Sequence, residues 1–136
     1  MSRVTCDMTM SVDGFVAGPN QSLKNPFGEG VEDRLHRWMF EEPDANAAEI
    51  EALTAAARAA ADGAHVAMAG GAATVNQYLA AGLVDELRLH VAPLLLGAGE
   101  RLIGGVGNVS LEPLQVRHTG LVTHLSYRVD SPERSS

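Results

Sequence analysis

The glycine pair and small residues that follow it, Gly70-Gly71-Ala72-Ala73-Thr74, are the residues of this chain whose types and spacing best suit chemistry. They lie between an apolar run, residues 65–69, and a helical pattern that begins near Thr74. A buried strand that breaks into glycines and then starts a helix can hold a phosphate, because the backbone approaches the ligand and the first helical N–H groups point at the anion. A plain turn between strand and helix uses the same residues, so both interpretations stay open.

The elements around this turn form a compact strand–helix–strand unit. Val75, Tyr78 and Leu79 have the apolar spacing of three and four that predicts an amphipathic helix, and Gly82 is placed to end it. Residues 84–91 then alternate between apolar and polar side chains, which predicts a half-buried strand. We expect a right-handed crossover between the two strands.

Two long segments, MTMSVDGFVAGPN at residues 8–20 and GGAATVNQYLAAGLVDELRLHVAPLLLGAGERL at residues 70–102, carry a resemblance to a known family. They resemble the bacterial dihydrofolate-reductase-like family that includes the C-terminal reductase domain of riboflavin biosynthesis. The resemblance implies a three-layer α/β fold like that of dihydrofolate reductase. It has a central mixed, mainly parallel sheet flanked by helices, and a C-terminal antiparallel hairpin.

The resemblance also implies a function. It points to an NADPH-dependent reductase that transfers hydride to a pterin-like or riboflavin-pathway heterocycle, a small-molecule substrate. The nicotinamide does the chemistry in such an enzyme, so no catalytic side chain is assigned. The residues that it implies for NADPH are Thr9, Val16, Gly70, Gly71, Ala72, Ala73 and Thr74, with a cis peptide between the two glycines.

Three further residues are assigned to the substrate: Asp13, Asn20 and Trp38. Asp13 would line the ring-stacking cleft at the end of the first strand, or else make a turn with Gly14. Trp38 would wall the cleft, or else anchor the first helix in the core. Ordinary core packing is likewise the alternative for Val16.

One feature expected from the resemblance is absent. Family members carry further strands before the glycine pair, one of which ends in a Gly-Arg pair that helps to hold the cofactor phosphate, and no Gly-Arg pair occurs in this sequence. Either the protein has lost central strands, or the 136 residues are a longer chain with a section left out. The alternative function is therefore a non-catalytic nucleotide-binding or dimeric scaffold protein without a complete cofactor pocket.

Composition predicts a single domain over residues 1–129 with a polar tail at 130–136. A net charge of −7 argues against nucleic acid as a partner. No apolar run suits a membrane span, so we expect a cytoplasmic protein. The lone Cys6 is interpreted as a core residue, and the five scattered histidines do not predict a metal site. Apolar side chains at Leu121, Leu125 and Tyr127 favour a homodimer through the final strands.

The remaining patterns predict the other elements. Asn46 and Glu49 have the spacing of a capping box at the start of a helix. His90 and His124 occupy polar positions of alternating strands. The predicted elements are strands at residues 4–11 and 15–17, a loop at 21–30, a helix at 32–40, and a hairpin with arms at 111–118 and 121–129.

Overall fold

The structure is a computed structural model that describes residues 3–32, 34–61, 65–68, 72–104 and 107–130. Its main sheet has five strands in the order β3-β1-β4-β7-β6, and a two-stranded sheet pairs β2 with β5. The strands are β1 (Arg3–Ser11), β2 (Phe15–Ala17), β3 (His65–Met68), β4 (Glu86–Ala92), β5 (Glu100–Arg101), β6 (Ser110–His118) and β7 (Thr123–Asp130). The helices are α1 (Arg37–Phe40), α2 (Ala47–Ala61) and α3 (Ala72–Ala80).

The main sheet is mixed. β1 is parallel to both of its neighbours, β3 and β4, whereas β7 is antiparallel to β4 and to β6. This confirms the mixed sheet and the C-terminal hairpin. The expectation of a mainly parallel sheet is wrong, because the described helices occur only in the connections into and out of β3, and β4, β7 and β6 are antiparallel neighbours in the sheet.

The two faces of the sheet differ because β1 alternates. Cys6 and Met8 point to one face, where they pack with Leu87 from β4 and with Val75 and Leu79 from α3. Burial raises the pKa of the Cys6 thiol to about 11, as expected of a core residue. The other face carries polar side chains and is covered by α2. The helices therefore lie on opposite faces, which gives the three layers that were predicted.

The backbone conformation of single residues explains where α3 ends and why α1 begins later than predicted. Gly82 has φ of 73° and follows α3; its N–H donates to Leu79 and the N–H of Leu83 donates to Tyr78. This is the glycine-terminated helix end that the sequence predicts. The first helix is shorter than predicted, since Glu32 has φ of 49°, a left-handed conformation that a helix does not accept. Leu35 instead packs with Val31 in a second apolar cluster.

Within the described ranges, no helix is both long and apolar enough to cross a lipid bilayer. The same residues include no group of three or more His, Cys, Asp or Glu side chains placed to hold a metal ion.

Candidate functional site

β1, β3 and β4 are parallel, so their carboxyl ends point to the same edge of the main sheet. Ser11 at the end of β1 lies opposite Ala92 at the end of β4, and Met68 at the end of β3 lies opposite Cys6. The chain leaves the end of β1 toward α1 and α2 on one face and leaves the end of β3 toward α3 on the other, so it diverges at this edge. Ligands of open α/β sheets bind in such a crevice.

Asp13 holds this edge together. Its Oδ1 accepts a hydrogen bond from the Ser11 hydroxyl and one of 3.1 Å from the N–H of Leu96, and its Oδ2 accepts one of 2.8 Å from the N–H of Gly97. These bonds, led by the one from Ser11, lower the pKa of Asp13 to about 2. Asp13 is therefore an ionised clamp between the turn after β1 and the loop after β4.

Asn76 makes a second clamp, which sequence reasoning missed. Its Nδ2 donates to the carbonyl of Leu102 at 2.6 Å, and its Oδ1 accepts from the N–H of Gly104 at 3.1 Å. The N–H of Leu102 also donates to the carbonyl of Gly14, at 2.9 Å. The loop after β5 is thus fastened both to α3 and to the turn after β1.

The surface of this edge is open and partly apolar. A Cβ atom added to Gly14 or Gly97 would have no neighbour within 4 Å. The side chains of Val12, Leu95 and Ile103 are exposed although they are apolar. Such a surface suits the face of a flat ring, which buries apolar area on contact.

The structure gives each predicted cofactor residue a place except the glycine pair, because Gly70, Gly71 and the peptide between them lie outside the described residues. Ala72, Ala73 and Thr74 are the first three residues of α3, where backbone N–H groups have no partner within the helix. Thr9 is half-buried in β1 and lies opposite His90. Val16 is buried in β2 and belongs to the main apolar cluster, as its alternative interpretation proposed.

The predicted substrate residues do not converge. Asn20 lies in the exposed loop with φ of 60°, a conformation that asparagine tolerates. Trp38 is completely buried in α1, so it has the role of core anchor that its sequence context left open. Asp13 is at the carboxyl edge, but its two oxygens already accept three hydrogen bonds from the protein.

A buried chain of polar side chains runs beneath α1 and α2. Asp7 Oδ1 is 3.0 Å from His90 Nε2, the two histidine Nδ1 atoms are 2.7 Å apart, and His124 Nε2 is 2.8 Å from Asn46 Oδ1. All four side chains are at most 5% exposed. Trp38 is stacked on His90, with ring centroids 5.0 Å apart. The polar positions of β1, β4 and β7 therefore face the helices.

Asn46 and Glu49 have other partners than the predicted capping box. Asn46 Nδ2 donates to the carbonyls of Trp38 and Glu42, at 3.2 and 2.9 Å, and Glu49 pairs with Arg117. Tertiary contacts with β6 and β7 have replaced the local capping bonds, so this detail of the sequence interpretation is corrected.

Charged groups surround the histidine pair. Arg88 donates to Asp7 Oδ2 at 2.6 Å, and the hydrogen bond from Arg117 lowers the pKa of Glu49. Burial lowers the pKa of His124 to about 4, although the Glu49 carboxylate opposes the shift. A cavity of about 250 Å³ opens beside the pair, lined by charged and polar side chains such as Glu86, Gln115 and Ser126.

Comparison with known proteins identifies the chain at the level of a family. Residues 45–125 match the family described as the RibD C-terminal domain. No curated protein matches the sequence. A solved protein from Shewanella sp. PV-4, provisionally assigned to riboflavin biosynthesis, has 16% identity and a TM-score of 0.63, over 95% of this chain and 99% of that one. The same architecture thus occurs over nearly the whole length of another chain.

Two further solved structures match about half of this chain. RibD of Acinetobacter baumannii has 23% identity and a TM-score of 0.45, over 49% of this chain and 21% of that one. A pyrimidine reductase-like protein of Corynebacterium diphtheriae has 22% identity and a TM-score of 0.45, over 50% of this chain and 30% of that one.

Proposed function

The chain belongs to the RibD C-terminal domain family, and from that premise we propose that it is an NADPH-dependent reductase of a pterin-like or riboflavin-pathway heterocycle. The observation that carries the proposal is the family match itself, because residues 45–125 include the glycine pair, α3 and β4. When bound, the nicotinamide supplies the hydride, and the protein has to orient two rings and exclude water.

The carboxyl edge offers suitable groups for the phosphates. The backbone N–H groups of Ala72, Ala73 and Thr74 begin α3, and the positive end of its dipole favours an anion there. Gly70 and Gly71 precede this helix and permit close approach of the ligand. In our proposal the backbone of these five residues replaces the contact that a Gly-Arg pair makes elsewhere in the family.

The turn and loop at the same edge offer a surface for the rings. We assign Thr9 to the nicotinamide end and Asp13 to the substrate side. Val16 and Asn20 receive no role in the proposal, since Val16 is buried in the apolar cluster and Asn20 lies in the exposed loop. Asp13 acts here chiefly by position, since its bonds to Leu96 and Gly97 fix the loop against the turn after β1. The exposed apolar side chains of this edge, Val12, Leu95 and Ile103, would cover the rings.

The experiment is a fluorescence titration of NADPH into the wild-type protein and two variants. Gly71→Val should abolish saturable binding because its side chain blocks the phosphate. Thr74→Ala should weaken binding by about 0.5–1.5 kcal/mol, which corresponds to one hydrogen bond. Thr54→Ala is the matched control, since Thr54 is exposed on α2 and bonds only to Ile50 one turn earlier; it should bind like the wild type.

The second candidate function is a non-catalytic scaffold, and the absence of a Gly-Arg pair favours it. Folded wild-type protein that shows no saturable signal with millimolar NADPH would support the scaffold and refute the reductase. Equal binding by wild type and Gly71→Val would refute only the location of the phosphate. Oxidation of NADPH on addition of a riboflavin-pathway heterocycle is the activity that the proposal requires.

A further inference from the structure

The hydrogen bonds of Asn46 fix the orientation of its amide. Nδ2 faces the carbonyl oxygens of Trp38 and Glu42, to which only an amide N–H can donate. Oδ1 therefore faces His124 Nε2 and the hydroxyl of Thr119, at 2.8 and 3.0 Å. Rotating the amide would place its oxygen against two carbonyls, so Asn46 presents an acceptor to His124.

The Nε2 atoms are the outer nitrogens of the histidine pair, because the two Nδ1 atoms face each other, and both Nε2 atoms must then carry hydrogen. His124 Nε2 donates to Asn46 Oδ1, and His90 Nε2 donates to Asp7 Oδ1 at 3.0 Å. Asp7 accepts on its other oxygen from Arg88 at 2.6 Å, a charge-assisted hydrogen bond within an ion pair. Each ring has now used the one hydrogen that a neutral imidazole possesses.

The contact between the two inner nitrogens requires a third hydrogen. His90 Nδ1 and His124 Nδ1 are 2.7 Å apart, a hydrogen-bond distance at which two lone pairs would repel. We propose that His90 and His124 share one extra proton at neutral pH, and that this imidazole–imidazolium pair is a pH-sensitive clasp between the sheet and the α1–α2 segment. The inference is independent of the proposed reductase activity.

The surroundings suit a cation on the His90 side. Asp7 is an anion at its Nε2, and the indole of Trp38 is stacked on the ring at 5.0 Å with an angle of 27°. An aromatic face attracts a cation in this position. Burial lowers the pKa of His124, which favours His124 as the neutral member that accepts the shared proton.

All elements packed against the pair contribute to its charge balance. β1 and β4 supply Asp7 and Arg88, which are paired with each other, and α2 and β6 supply Glu49 and Arg117, which are also paired. Glu49 Oε1 lies 3.7 Å from His124 Nε2. Glu86 of β4 also lies 3.7 Å from Arg88 Nε and lines the same cavity, so the charged groups around the pair carry one net negative charge, which the single proton of the pair balances.

The proton count sets the sign of the pH dependence. Histidines in the unfolded chain titrate near pH 6.5, so well above that pH the folded state holds one more proton than the unfolded state. The unfolding equilibrium constant should therefore rise about tenfold for each pH unit above about 7.5, until the pair itself deprotonates. Below about pH 5.5 the unfolded state holds two protons on these histidines and the folded pair holds one, so the unfolding equilibrium constant should also rise as the pH falls further.

The direct test is nitrogen-15 NMR of the histidine rings in the wild-type protein at pH 7. We expect one ring with hydrogen on both nitrogens and its neighbour with hydrogen on Nε2 only. One hydrogen on each of the two rings would overturn the proposal. Because this measurement needs no variant, it does not depend on whether a substituted protein folds.

The only tryptophan of the chain gives a second readout, since it contacts both rings. An imidazolium quenches indole emission more strongly than an imidazole, so Trp38 fluorescence should rise as the pair loses its proton above pH 7. His90→Gln should remove this rise and flatten the alkaline loss of stability. His118→Gln is the control, because His118 ends the exposed strand β6 and should leave both unchanged. A wild-type unfolding equilibrium constant that does not rise above about pH 7.5 would contradict the clasp.

Discussion

Replacing Asn46 by alanine should be among the most destabilising single changes in this protein. The side chain is fully buried and makes four hydrogen bonds, to the carbonyls of Trp38 and Glu42, to the hydroxyl of Thr119 and to His124. Alanine would leave the Trp38 carbonyl and His124 Nε2 buried without these partners, and each such loss costs about 1–3 kcal/mol. The Glu42 carbonyl and the Thr119 hydroxyl also lose a partner, but they add less because they lie nearer to solvent.

We therefore expect Asn46→Ala to lower the free energy of unfolding by about 4 kcal/mol, out of the 5–15 kcal/mol typical of a domain. Urea unfolding followed by Trp38 fluorescence and by circular dichroism measures the change. Thr54→Ala, at an exposed site of α2, the helix that follows Asn46, should change it by less than about 0.5 kcal/mol. A loss below about 1 kcal/mol for Asn46→Ala would refute the assignment of the buried bonds.

Three other predictions concern the hydrogen bonds of Asp13, the end of α3 at Gly82 and the oligomeric state. Asp13→Ala should speed hydrogen exchange at the amides of Leu96 and Gly97, and unchanged exchange would exclude the clamp. In the wild type the clamp should loosen in the same way as the pH falls from about 4 to about 2, because the pKa of Asp13 is lowered to about 2 and its carboxylate becomes protonated there. Gly82→Ala should lower the free energy of unfolding by about 1 kcal/mol in thermal melts, because alanine is strained at a positive φ; an unchanged melting temperature would contradict this. Light scattering at micromolar concentration should give the mass of a homodimer, and Val116→Lys on the exposed strand β6 should give a monomer; a monomeric wild type would refute it.

Local patterns were sufficient to predict the strands and the helix of the strand–helix–strand unit. Residues 84–91 alternate because one face of β4 packs against α3, and Gly82 ends α3 because a left-handed residue is needed there. Such patterns depend only on residues that are close in sequence, so they can be recognised without knowledge of the fold. The hairpin of β6 and β7 was predictable for the same reason.

Long-range contacts explain what the sequence did not reveal. Asn46 and Glu49 have the spacing of a capping box, but the Asn46 amide oxygen and the Glu49 carboxylate have partners about 70 residues away in β6, β7 and the turn between them. His90 and His124 sit at polar positions, which correctly places them on the same face of the sheet. Nothing local indicates that α2 covers this face, so their burial and their contact could not be predicted.

The alternation of β1 connects the proposed cofactor edge with the buried histidine pair. Asp7 and Ser11 are on the same face of this strand; Asp7 holds His90, and Ser11 donates to Asp13 at the carboxyl edge. The opposite face of β1 carries the apolar contacts to α3, whose first turn would hold the phosphate. Loss of the proton shared by the histidine pair would therefore act on the strand that supports the cofactor edge. NADPH affinity measured at pH 7 and pH 9 should fall in the wild type and stay constant in His90→Gln, and equal falls in both would show that the two regions are not coupled.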